Sequence, residues 1–149
     1  MGLWDKVKGA VNAVTGGAAK VYIEVLGQPV RGETVDVRVT VTSTGSEIRS
    51  QGIFVDLAAK EEIYIPNYKT SGEYSEGLHT STFDQAFQIA APLTLMPNET
   101  RTFEGTISVP SNAPPTYQGP YCKHNWRIRG RVEMFGNDPD SGYIDIFVY

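Results

Sequence analysis

The sequence holds 149 residues, 16.4 kDa, with 13 basic against 17 acidic side chains and a single cysteine. That length matches one domain with an ordinary hydrophobic core, and Cys122 alone excludes an intrachain disulfide or a thiolate metal cluster. A net charge of -4 argues against a general nucleic-acid binder, no apolar run approaches membrane-spanning length, and 14 valines and 13 threonines against 6 leucines favour strands over helices.

The first element read from the pattern is a short amphipathic helix. Leu3, Trp4, Val7, Val11 and Val14 recur at helical spacing, and Gly16-Gly17 ends the run. Charges at Asp5, Lys6 and Lys8 interrupt the apolar residues, so the segment does not read as a secretory signal. A helix this short is marginal alone, and its apolar face needs a surface to rest on. Two surfaces suit it: an open end of the domain, or a partner or membrane interface reached through Leu3, Trp4 and Val7 with lysines at the flanks. The expected organisation is thus residues 1–17 as helix and glycine linker, then residues 18–149 as one domain.

From Ala19 the hydrophobic period changes from 3.6 to 2. Val21, Ile23 and Val25 form a first strand, and Gln28 to Glu33 supplies turn residues. Val35, Val37, Val39 and Val41 then alternate with polar residues, which predicts one buried and one wet face. Ile53, Val55 and Leu57 form a third strand. Pro66 to Thr82 reads as a long loop carrying Tyr68 and Tyr74, just after Tyr64. Strands follow at Phe83 to Ile89, Phe103 to Val109, His124 to Met134 and Ile144 to Val148, with a proline-rich loop from Pro110 to Pro120. About seven strands at these spacings predict an all-β antiparallel sandwich of immunoglobulin-like type.

Two stretches resemble the arrestin-like superfamily, and more closely its bacterial sporulation-control members. One is Val25 to Val41, where Pro29, Gly32 and Glu33 form a Pro-Gly-Glu turn between the first two strands. The other runs from Ile107-Ser108-Val109-Pro110 through Ala113-Pro114-Pro115-Thr116-Tyr117-Gln118-Gly119 to Trp126-Arg127-Ile128. Asp138-Pro139 in the last turn is also similar. The resemblance implies one arrestin-like sandwich, where the family commonly has two in tandem. It also implies a non-catalytic adaptor or regulator in the cytoplasm that binds a protein partner.

Candidate chemistry is thin. Cys122 and His124 share a strand face with Trp126, and the preferred reading is a packed thiol beside the tryptophan and a hydrogen-bonded imidazole. Asn137, Asp138 and Asp140 offer oxygen ligands, but the same residues serve a strand connection, so no metal or cofactor is assigned. The strongest feature is electrostatic. Lys123, Arg127, Arg129 and Arg131 alternate along one strand and point to one sheet face, with no acidic residue from 121 to 131. That stripe suits an acidic or phosphorylated peptide or an anionic lipid surface. Cross-strand pairing with Asp56 or Asp145 would instead neutralise it. Tyr64, Tyr68 and Tyr74 form a second candidate surface for partner recognition. Exposed edges also permit association with a second copy. The alternative function is a small-ligand or carbohydrate-binding module, using exposed aromatics among Tyr22, Tyr64, Tyr68 and Phe147.

Overall fold

Alternating valines and threonines build the first sheet. The computed structural model describes residues 13–15, 17–64, 69–70, 73–74 and 78–149. Strands β1 (Ala13–Thr15), β2 (Ala19–Val25) and β3 (Thr34–Ser43) run antiparallel, and β10 (Thr100–Ser108) completes the order β1-β2-β3-β10. Val35, Val37, Val39 and Val41 are buried as the period-2 pattern predicts. The opposite face is a ladder of register-matched polar pairs. Thr42 meets Thr100 at 2.8 Å, Arg38 donates to Glu104 at 2.8 Å, and Thr106 donates to Asp36 at 2.8 Å.

The second sheet has the order β11-β12-β5-β8, from Tyr117–Gln118, Cys122–Glu133, Gly52–Ile63 and Leu78–Ala90. Strand β13 (Ile144–Ile146) pairs with β12 beside β11. The two sheets face each other, with β2 against β12 and β10 against β8. Val21, Ile23, Val37, Val39, Leu57, Trp126 and Ile128 interlock in one buried core. Gly105 and Gly130 mark close approaches of the sheets, because a Cβ there would lie 2.6 Å from Ile89 and 3.1 Å from Val39, respectively. All seven expected strands are present, and the fold is an antiparallel β-sandwich.

Four features differ from the sequence reading. Val14, the last position of the helical pattern, lies on β1, because Ala13–Thr15 pairs with Ala19 to Val21. The rest of the expected helix, with Leu3, Trp4 and Val7, lies outside the described residues. Leu78 to Thr82, read as loop, belongs to β8, where pairing with Lys60 to Ile63 outweighs a weak hydrophobic period. Two three-residue strands, β4 (Ile48–Ser50) and β9 (Leu93–Leu95), form a small sheet that buries Ile48 and Leu95. Strands β6 (Lys69–Thr70) and β7 (Glu73–Tyr74) pair as a short hairpin.

Candidate partner-binding surface

Strand β12 alternates cleanly. Its even positions His124, Trp126, Ile128 and Val132 are buried, so Lys123, Arg127, Arg129 and Arg131 share the outward face. The register then sets acidic groups among them. Asp56 on β5 lies opposite Arg129 and is only 5% exposed. It accepts from Arg129 Nε at 3.0 Å and Nη2 at 2.8 Å, and from Arg131 Nε at 3.0 Å and Nη2 at 3.2 Å. Arg131 also reaches Glu133 and Asp138 at 3.3 Å. Burial disfavours its charge, yet the hydrogen bonds to Asp56 hold its pKa above the ordinary value.

The neutralising role therefore falls to Asp56 for Arg129 and Arg131. Lys123 pairs with Glu62 at 3.1 Å, and Lys60 reaches the same carboxylate at 2.9 Å. Those two hydrogen-bonded ammonium groups, Lys60 before Lys123, hold the Glu62 pKa below its usual range. Arg127 is exposed, with its guanidinium 4.1 Å from the Tyr143 ring centroid. Asp145 lies opposite Arg127 in the register. The stripe is one face, as expected, but Arg129 and Arg131 are committed to the fold.

His124 is committed likewise. It is fully buried, its Nδ1 lies 3.0 Å from the Pro115 carbonyl, and its Nε2 lies 2.6 Å from the Thr82 hydroxyl. A carbonyl only accepts, so Nδ1 donates there and Nε2 accepts from Thr82. The reading of Cys122 as a core residue beside Trp126 needs correction. Its thiol is half-buried and borders a cavity instead. In the last turn, Asp138 accepts from the Met134 N–H at 2.9 Å and Asp140 from the Gly142 N–H at 2.7 Å. Both carboxylates hold the strand connection, as turn chemistry requires.

Tyr117 stacks on His124 at 6.2 Å and donates its hydroxyl to Glu61 at 2.9 Å. That bond, followed by one with Cys122, pushes the phenol pKa up to about 12. An unfolded tyrosine ionises near pH 10, so stability linked to Tyr117 is complete below about pH 10. It is lost as pH rises to about 12, since the unfolded state then binds fewer protons. An alkaline absorbance titration of the wild type minus Tyr117→Phe should show this phenol titrating near pH 12. A difference centred near pH 10 would contradict the Glu61 bond.

The second surface begins at Tyr64. A cavity of about 370 Å3 opens at the end of β5, β8 and β12. Ile63, Tyr64, Leu78 and Tyr121 border it, respectively 40%, 54%, 69% and 57% exposed. Glu62, His79, Gln118, Cys122 and Lys123 supply its polar side. Of the tyrosines expected here, Tyr64 is in place and Tyr68 lies outside the described residues. Tyr74 falls on β7, at the backbone level only. Tyr121, Ile63 and Leu78 were missed, because only strand register brings these distant positions together.

No family model and no curated protein matches the chain. Among solved structures, it is similar to the sporulation control protein Spo0M from Bacillus subtilis, at TM-score 0.62 and 20% identity. That match covers 88% of this chain and 49% of Spo0M. The alkylpurine DNA glycosylase AlkC of Pseudomonas fluorescens gives TM-score 0.47 at 14% identity, covering 88% of this chain and 30% of that one. The C-terminal domain of wzt gives 0.47 at 10%, covering 93% and 78%. Nothing is argued from these last two. The chain thus has the fold of the sporulation control protein Spo0M, spanning about half of that protein's length, in line with the resemblance carried by its loop and turn motifs.

Proposed function

We propose that the chain is a non-catalytic regulatory protein of the cytoplasm that docks a protein partner on the cavity end of its second sheet. One observation carries this reading: of seven large apolar side chains exposed among the described residues, four border the same cavity. Scattered exposed apolar groups are ordinary, but a cluster rimmed by charge marks an interaction site. The Spo0M-like fold supports a regulatory role, since Spo0M is a sporulation control protein. Lys123 and Arg127 extend the surface along the outer face of β12. Leu3, Trp4 and Val7 belong to the same proposal as a membrane or partner contact.

A small-ligand or carbohydrate module is the second reading. Tyr64 and Tyr121 favour it, as two exposed aromatics joined by the Tyr64 N–H to Tyr121 carbonyl bond of 2.7 Å. Tyr22 and Phe147 are only half-exposed, and Tyr68 lies outside the described residues. The decisive comparison uses Ile63→Ser/Leu78→Ser in affinity purification from the protein's own cells. The double variant should unfold within about 1 kcal/mol of wild type, because both side chains are exposed. It should lose a partner that the wild type retains. A partner held equally by both proteins would contradict the proposal, as would a glycan bound in place of any protein.

A further inference from the structure

The apolar side of the cavity is a single cross-strand row. The register aligns Cys122 with Ile63 and Ile63 with Leu78. On β12 the core-facing positions step back through Ile128, Trp126 and His124, so Cys122 continues that face. Ile63 and Leu78 share it by direct pairing, yet all three lie outside the buried core. The row carries core-side chemistry beyond the end of the core.

The adjoining strand edge has no strand partner among the described residues. β8 is the last strand of its sheet, and no described strand pairs with its outer side. Leu78, His79, Thr80 and Ser81 are all exposed. A register shift between Ala59/Lys60 separates this segment from the rest of β8. Edges that must stay solitary commonly carry proline, lysine or other charged residues. Leu78 to Ser81 has no proline, lysine, arginine or carboxylate.

The next row, on the outward face, is Lys123, Glu62 and His79. Lys60 shares Glu62 with Lys123, so two ammonium groups face one carboxylate. Glu61 is on the opposite face, where it accepts from Tyr117. Among the described residues, one positive charge is therefore left over on this outward face, where Lys60 lies opposite Ser81, which favours an acidic residue on whatever binds.

We propose that this end receives an extended peptide, added as a strand to the Leu78 to Ser81 edge. One large apolar side chain enters the cavity beside Leu78 and Ile63, and the adjacent acidic residue faces the surplus positive charge. Consecutive residues of an added strand point to opposite faces, so the apolar and acidic residues are neighbours in sequence. The assignment rests on the docking reading above and names its mode.

The test is selection of phage-displayed random dodecapeptides on the full chain, counter-selected on Leu78→Lys. Leu78 is exposed, so matching unfolding midpoints will show that this variant folds. Enrichment of a large apolar residue next to Asp or Glu is expected. The selected peptides, made synthetically, should bind Leu78→Lys about tenfold more weakly. Methylating alternate backbone amides should weaken them by a similar factor, since a strand needs those donors. No enrichment over the counter-target would overturn the proposal. Tight binding that survives methylation of either amide set would overturn strand addition. A cellular partner still lost on Ile63→Ser/Leu78→Ser in those cases would leave the docking reading standing.

Discussion

Replacing Asp56 with alanine is expected to lower the unfolding free energy by about 3 kcal/mol, the low end for breaking a buried ion pair. One buried carboxylate accepts four guanidinium N–H groups, and Arg131 behind it is largely buried. Arg129 has a second carboxylate in Asp140 at 3.8 Å, and Arg131 has Glu133 and Asp138, which keeps the loss from the top of the range. For a chain of this size the thermal midpoint should fall by about 6–12 °C. Asp56→Asn keeps an acceptor but loses the charge, so its loss should be intermediate. A fall of less than about 1 kcal/mol would show that the arginines behave as an exposed surface pair. The basic face would then be freer than its geometry indicates.

Trp126→Ala should be the most damaging single change, at about 4 kcal/mol. The indole is fully buried, lies 5.7 Å from both Phe83 and His124 ring centroids, and donates to the Pro114 carbonyl at 2.9 Å. Truncation removes a large apolar volume and a hydrogen bond together. Trp126→Phe separates the two losses, because it keeps a ring but leaves the Pro114 carbonyl without the indole donor. It should cost about 1–2 kcal/mol. Hydrogen exchange should also quicken at the Thr116 amide, which bonds Val148 at 2.8 Å just after the anchored Pro114. Unchanged exchange there would show that the loop is held independently of the indole. Denaturant unfolding of the three proteins checks the energies.

Much of this fold could be read from local pattern. Val35 to Val41 declares a strand with one buried face, and the structure buries those four valines. The basic side chains on β12 share a face by parity alone, so their alignment was also legible. Their partner was not uniquely legible. Asp56 and Asp145 were both candidates, and only strand order places Asp56 between Arg129 and Arg131. The start of β8 was hidden because His79, Thr80 and Ser81 carry no hydrophobic alternation. Their strand conformation comes from pairing with Lys60 to Glu62. The cavity end was hidden for the same reason: Ile63, Leu78 and Cys122 become neighbours only through two registers. Cys122 looked like core because alternation continues past the point where the core stops.

Docking of a protein partner at the Leu78 end, as proposed, would leave the polar ladder of the first sheet free. Photocrosslinking in the protein's own cells tests it most directly, with a benzophenone side chain placed at position 78 or at position 38. Both sites lie on exposed or half-exposed strand surface, so either variant should fold. A discrete protein adduct is expected from position 78 and none from position 38. An adduct from position 38 alone, or none from either, would contradict it.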